Sequence, residues 1–369
     1  MRFAFMTELY APSVGGQEVF FQELGEALVR RGHTVDTYCI AHVDGLPEVE
    51  VVNGVTVHRE ANSGRYKAPR LKVLRRRWSD IVKYSARIRR VAARGEHDFY
   101  LLNEWPLMHV LALPGKVRPR TAVHWCEIRE DPVLRTVQAR FPKLVGSNFA
   151  VGDVVAEAIT RQSGRACGVL PSGIEAKRYR VAPGDERSGA LYVGRLAGHK
   201  NLPLLIDAFG LAAERGFVGD LVIAGDGPLR RDVEAVARQS PVASRVHVLG
   251  PVDEAQKIEL LSTSSVLGMP SRREGFPRVI AEAMASGLPV VTADFSENGG
   301  KDVVKQYGAG LVCGTVPAEF AEAMLGAQAG WDGYSRAGLA GAADLDWSHI
   351  AETLEKHAER TIDRGVTTP

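Results

Sequence analysis

The chain is poor in the features that mark several protein classes. It has four cysteines in 369 residues, Cys39, Cys126, Cys167 and Cys313. They are scattered, which excludes a disulfide framework or a zinc ribbon and suits buried free thiols of a reducing compartment. No apolar run reaches the ~18–20 residues that cross a bilayer, so no membrane-spanning helix is expected. The opening stretch Met1-Arg2-Phe3-Ala4-Phe5-Met6-Thr7 reads as a strand too short in apolar residues for a signal peptide, and a cytoplasmic protein is expected. Net charge is only +2, so nothing global points to nucleic acid. A full Gly-x-Gly-x-x-Gly is also missing, which weakens a nicotinamide-dinucleotide reading.

What is present is an ordinary globular composition, 45% hydrophobic and 24% charged, in a chain long enough for two domains. Strand and helix patterns alternate throughout, the signature of α/β architecture with parallel sheets. The first strand is expected over Arg2–Met6, followed by a glycine-bearing loop, a helix from about Gln17 to Arg31 and a strand Thr34–Ile40. Further strands are expected at Asp98–Leu102, Thr121–His124 and Leu144–Ser147, with a helix from about Val151. A second start comes at Ala190–Val193, and the boundary falls near Leu170–Asp185, where Pro, Gly and charge cluster. This divides the chain into 1–170 and 171–346, followed by a final helix over 347–364. The last residues, Thr367-Thr368-Pro369, are expected to fray.

Charge is unevenly spread. Between Arg65 and Gly95 there are twelve Lys or Arg and one acid, Asp80, a local +11 that leaves the rest of the chain at −9. Apolar residues at Leu71, Leu74, Trp78, Ile81, Val82, Ile88 and Val91 give that segment helical spacing. A core-facing helix with a solvated basic face is the preferred reading. Docking on an anionic membrane and a basic approach for an acidic acceptor are the competitors.

The densest information lies in Glu274-Gly275-Phe276-Pro277-Arg278, leading into a helix that carries Glu282. Proline suits a first helical turn, because its missing N–H would have no partner there anyway. The remaining N–H groups of that turn and the positive end of the helix dipole welcome oxygen-rich or anionic ligands. Helical side chains lean toward the N-terminus, so Glu282 can reach back toward a ligand that Glu274 also meets. Two carboxylates at an anion-tolerant helix start suit a neutral polyol joined to a diphosphate. Upstream, Gly194-Arg195 follows a strand and Lys200 comes five residues later. Two fixed cations at a strand's C-terminal end can stabilise a departing diphosphate without a metal.

These motifs, in this order, resemble those of the family-4 glycosyltransferases, and the resemblance covers nearly the whole chain. It implies the GT-B fold: two facing Rossmann-like domains with parallel sheets and a cleft between them. The domain 1–170 would face the acceptor, with helix 347–364 packing back on it, and 171–346 would bind the nucleotide sugar. It implies that Arg195 and Lys200 hold the nucleotide diphosphate, that Glu274 binds the hexose and that Glu282 binds the ribose. The backbone of Gly275, Phe276, Pro277 and Arg278 would complete the cradle, with Gly15 and above all Gly16 from the loop Pro12–Gly16, where missing side chains let backbone approach a phosphate. His124, at the end of its strand, would contact substrate and face Glu274 on closure. The reaction implied is metal-independent hexosyl transfer with retention, from a nucleotide-diphosphate sugar, UDP-sugar before GDP-sugar, to an acceptor hydroxyl. No cofactor is expected.

The chain departs from the family pattern in places. Pro277 stands where many members have glycine, and Ser296-Glu297-Asn298 before Gly299-Gly300 makes an enlarged acidic loop; both bear on the identity of the donor sugar. Pro171–Tyr179 and Gly225-Asp226-Gly227-Pro228 read as structural turns. Asp344-Leu345-Asp346 spells Asp-x-Asp but precedes the last helix instead of following a central strand, so no metal is expected there. The acceptor is unassigned, with a small natural product preferred over a glycolipid or polysaccharide. An epimerase or phosphorylase on the same fold, and a non-catalytic sugar-nucleotide-binding module, are the alternatives.

Overall fold

A computed structural model describes residues 1–13, 15–60, 66, 76–128 and 131–366. They form two compact units, Met1–Gly173 together with the segment from Trp347 onward, and Ile174–Asp346.

The first unit runs β1 Arg2–Met6, α1 Gly16–Arg30, β2 Thr34–Ile40, β3 Val49–Val52, β4 Val55–Glu60, α2 Trp78–Arg94, β5 Phe99–Asn103, α3 Met108–Ala112, β6 Thr121–Trp125, α4 Pro132–Arg140, β7 Ser147–Ala150, α5 Asp153–Ser163 and β8 Gly168–Val169. Its strands order as β3-β4-β2-β1-β5-β6-β7-β8. Every pairing is parallel except β3 with β4. Phe3 to Met6 are all fully buried, as a central strand covered on both faces requires. Helix α1 covers one face with Phe20, Phe21, Leu24 and Leu28 and stops before Gly32, whose φ of +87° favours glycine.

Two differences from the sequence expectation have local causes. The hairpin β3–β4 was not expected, although Asn53 (φ +49°) and Gly54 (φ +87°) are an Asn-Gly turn between alternating valines. The strand expected at Leu144–Ser147 begins only at Ser147, because Phe141–Leu144, with Pro142, close a 3-10 turn. The first turns of the helix expected from Leu71 lie outside the described residues, as does the Thr367–Pro369 end.

The second unit runs β9 Ala190–Val193, α6 Leu202–Glu214, β10 Leu221–Ala224, α7 Arg230–Gln239, β11 Val246–Gly250, α8 Glu254–Thr263, β12 Val266–Met269, β13 Arg273–Glu274, α9 Arg278–Ala285, β14 Val290–Ala293, β15 Glu297–Asn298, α10 Gly300–Tyr307, β16 Gly310–Cys313, α11 Pro317–Ala329 and α12 Trp331–Ala342. Six strands form a parallel sheet in the order β11-β10-β9-β12-β14-β16, and β13 pairs with β15 alone. Helix α8 opens on a capping box in which Asp253 and Gln256 satisfy each other's backbone N–H groups. Buried Arg187 donates to the carbonyls of Ala182, Leu261, Ser264 and Ser286, tying the entry segment to the ends of α8 and α9.

The final helix, α13 Trp347–Val366, belongs to the first unit. It packs on α1, where Trp347 Nε1 donates to Glu23 Oε2 at 2.7 Å and Glu355 pairs with Arg31 and His33.

Candidate active site

The strand order of the second unit reverses between β9 and β12. In open α/β sheets, the crevice outside the carboxyl ends of the strands at such a point is where ligands bind. The loops leaving these two strands carry the sequence motifs. The β9 loop holds Gly194 and Arg195 and ends in a 3-10 turn, Gly198–Lys200; the β12 loop runs through Ser271 to Glu274. They are joined directly, Arg272 N donating to His199 O at 2.7 Å and the Arg272 guanidinium to Asn201 Oδ1 at 3.3 Å. As a result Lys200 Nζ lies 2.5 Å from Glu274 Oε1, with the two side chains 15% and 10% exposed. Burial, with Lys200 next, lowers the His199 pKa; Arg273 and Arg195 add to this and Glu274 opposes it.

Glu274 is held from behind. Its carbonyl accepts from Gly299 N at 2.9 Å, and a Cβ on Gly299 would run into the Gly275 carbonyl oxygen. Buried Asn298 donates to Thr292 Oγ1 (2.9 Å) and Ala293 O (2.8 Å) and accepts from Gly300 N (3.1 Å). The acidic-looking loop Ser296–Gly300 is therefore the brace of the Glu274 strand.

Arg195 is exposed, and its guanidinium has no hydrogen-bond or ion-pair partner among the described residues. Its backbone, by contrast, is fixed. Leu196 N donates to Asp226 O at 2.9 Å, Leu229 N to Leu196 O at 3.1 Å, and the buried Tyr192 hydroxyl to Arg195 O at 3.1 Å. Gly225 has φ +141° and packs so closely that a Cβ there would overlap the Gly194 carbonyl oxygen. The Gly225–Pro228 turn thus shapes the loop that presents Arg195.

Pro277 is the N-cap of α9, one position before the first helical turn expected for it. Glu282, 4% exposed, accepts an ion pair from Lys257 Nζ at 3.0 Å and lies 3.4 Å from Arg278 Nε. Tyr179 lies beside the same carboxylate; burial first, and the Glu282 charge second, push its phenol pKa up. Lys257 and Tyr179 are the residues that sequence reasoning missed. Lys257 sits in an amphipathic helix where lysine is unremarkable, and Tyr179 in a turn read as structural.

In the first unit the order reverses between β1 and β5. Gly15 precedes α1, and a Cβ there would meet the Glu18 carboxylate, which also accepts from Ser13 Oγ at 3.3 Å. Gly16 faces open space. Asn103, at the end of β5, donates to Gln17 Oε1 at 2.6 Å and so ties this loop to the sheet. His124 differs from its expected placement. Strand β6 continues one residue past it to Trp125, and its ring is fully buried. It stacks on Phe20 at 4.0 Å, its Nε2 donates to Leu170 O at 2.8 Å, and its Nδ1 is 3.5 Å from Cys126 Sγ. Burial lowers its pKa to about 4, so the ring is neutral in this arrangement. A small recess, partly open to solvent, is lined by Glu104, Trp105, Leu107, Trp125, Leu134, Val137 and Gln138.

Asp346 Oδ2 accepts from Ala176 N at 3.1 Å, which gives the Asp-x-Asp sequence a structural task. Among the described residues, no group of three or more His, Cys, Asp or Glu side chains could hold a metal ion. No helix among them is long and apolar enough to cross a membrane.

Two family models match the chain, "Glycosyl transferase 4-like domain" over residues 15–183 and "Glycosyl transferases group 1" over residues 174–331. EpsF of Bacillus subtilis is 38% identical over 140 residues, 34% of this chain and 35% of that one, so that match spans about a third of either protein. An uncharacterized glycosyltransferase of Methanocaldococcus jannaschii is 27% identical over 340 residues, 83% of each chain. Among solved structures, sucrose-phosphate synthase from Thermosynechococcus elongatus superposes with TM-score 0.77 at 21% identity, covering 98% of this chain and 99% of that one. Anabaena HepE in complex with UDP gives 0.73 at 18%, covering 98% and 100%. The fold and these matches define a glycosyltransferase of GT-B type. The chain belongs to the family-4 glycosyltransferases.

Proposed function

We propose that this enzyme moves a hexose-type sugar from a nucleoside-diphosphate sugar, with UDP-sugar favoured and GDP-sugar second, to an acceptor hydroxyl with retention of anomeric configuration and without a metal. The observation that carries the reading is the contact of Lys200 with Glu274 on the two loops that leave β9 and β12, with the unpaired Arg195 guanidinium on the first of them. HepE, of the same fold, is a UDP complex, which supports a nucleotide diphosphate as the ligand class.

The chemistry assigns each group a task. Arg195 and Lys200 stabilise the charge that grows on the leaving diphosphate. Glu274 accepts from sugar hydroxyls, and its position is set by Lys200 and by the Gly299 brace. Glu282 accepts from the ribose, and the backbone of Gly275–Arg278 completes the cradle. Gly16 offers backbone to a phosphate without a side chain in the way. The bond from the anomeric carbon to the diphosphate oxygen breaks and the bond to the acceptor oxygen forms on the same face. The leaving phosphate oxygen takes the acceptor's proton. No protein base is needed, which fits a His124 that is neutral and buried.

Transfer in EDTA, with the product's anomeric configuration read by NMR, tests this. A product of inverted configuration, or turnover only with added divalent metal, contradicts it.

A second reading places the acceptor at a membrane. The exposed face of α2 carries Lys83, Arg89, Arg90 and Arg94, with Arg77 at its N-cap, beside Trp78 (44% exposed) and Val82 (51%), while the helix's acid, Asp80, is buried. Co-sedimentation with anionic but not neutral vesicles would support it.

A further inference from the structure

We infer that Lys257 and Tyr179 are positioning residues for the nucleotide site, and that through Glu282 they make it select a ribonucleoside diphosphate over its 2′-deoxy counterpart. This inference rests on the reading of Glu282 as the ribose contact.

The geometry is specific. Glu282 sits on α9 with its side chain only 6% exposed. A carboxylate so buried demands partners, since an unpaired charge there would be costly. Lys257 from α8 donates to it at 3.0 Å, Arg278 one turn back on α9 lies at 3.4 Å, and the Tyr179 phenol from the segment that enters the unit stands beside it. Lys257 Nζ is itself shared, 3.0 Å from Glu282 Oε1 and 3.0 Å from Glu254 Oε2, so it is held on two sides. Glu254 in turn faces Arg178 at 3.7 Å. Arg178, Glu254, Lys257, Glu282 and Arg278 therefore alternate in sign.

Such an array fixes a carboxylate more firmly than any single pair. The ionised carboxylate has about four acceptor positions, and the hydrogen bond from Lys257 leaves it capacity for a ligand. A fixed carboxylate can take the two hydroxyls of a cis-diol at once. A ligand lacking one of them leaves a buried acceptor position unmatched, and sites built to hydrogen-bond a hydroxyl discriminate strongly against analogues without it. Without Lys257, Glu282 is free to turn toward Arg278, and the second hydroxyl loses its partner. Diphosphate binding through Arg195 and Lys200 does not depend on this array.

The test is calorimetric titration of wild type, Lys257→Met, Lys257→Arg and Tyr179→Phe with matched ribo and 2′-deoxyribo diphosphates of uridine, guanosine and adenosine. Wild type is expected to prefer the ribo form of its best nucleotide by about tenfold or more. Lys257→Met is expected to bind both forms at nearly the affinity of the deoxy ligand, with Lys257→Arg recovering part of the preference. Tyr179→Phe is expected to lower the preference in the same direction, and it supplies the answer should Lys257→Met fold poorly. Equal binding of both forms by wild type, or an unchanged preference in both Lys257→Met and Tyr179→Phe, overturns the inference and leaves the nucleotide-sugar reading standing. Absence of binding to every diphosphate by wild type overturns that reading, and the inference with it.

Discussion

Lys200 and Glu274, 74 residues apart in sequence, meet with Nζ 2.5 Å from Oε1 at the ends of two loops that leave adjacent parallel strands. Each is the other's counter-charge in a largely buried setting. The donor must therefore be received by a pair already formed: the ammonium is shared with phosphate while the carboxylate turns to the sugar. Replacing either by alanine is expected to lower kcat/KM by about 10²–10³. The double variant should lose little more than the worse single one, because the two act as a unit. Steady-state kinetics on the three variants checks this; losses that multiply would show that the contact is incidental.

Gly225→Ala tests the shape of the Arg195 loop. The native φ of +141° disfavours any side chain, and the added methyl meets the Gly194 carbonyl. A cost of about 2 kcal/mol or more is expected, seen as a lower Tm together with weaker nucleotide binding.

Gly16→Ala is the contrasting case. A Cβ there meets nothing within 4 Å, so the Tm should stay within a degree or two of wild type. If backbone at Gly16 approaches a phosphate, donor KM rises about tenfold or more, a binding loss of ~1.4 kcal/mol. An unchanged KM removes Gly16 from the cradle.

Stability should fall as pH drops through the histidine range. Burial holds His124 at about 4 and His109 at about 3, both below the usual 6.5. The unfolded chain takes up these protons first, so the stabilisation is full above pH 6.5. It declines by up to about 1.4 kcal/mol per pH unit for each group, until about pH 4 for His124 and about pH 3 for His109. Asp36 acts the same way lower down, its carboxyl held below the usual range by His58 and His97 against the opposing effect of burial. Denaturant melts between pH 8 and 5 should show the decline. His124→Gln, which keeps a donor for Leu170 O, should make it shallower.

Much of the fold was legible because its signals are periodic. The alternation of strand and helix, the Arg2–Met6 and Ala190–Val193 starts, and the approach to Glu274 follow from local pattern. What eluded the sequence depends on distance or on burial. Lys257 belongs to the site only because α8 packs beside α9. Tyr179 belongs to it because the entry segment turns toward Glu282. The bracing role of Asn298 and Gly299 rests on a two-residue ladder that leaves no periodic trace. His124 was misplaced for the opposite reason: a histidine near a strand end reads the same whether it is open or covered, and Phe20 and Leu170 cover it. The Asn53-Gly54 hairpin was readable from its turn chemistry.

The most direct measurement is a thermal-shift series of UDP, GDP, ADP and dTDP, each with and without EDTA, on wild type and Lys200→Ala. A site built on Arg195, Lys200 and Glu282 predicts a raised Tm with one ribonucleoside diphosphate, unchanged by EDTA and largely lost in Lys200→Ala. No shift with any of the four at millimolar concentration, or a shift that EDTA abolishes, contradicts the metal-free nucleotide-sugar site.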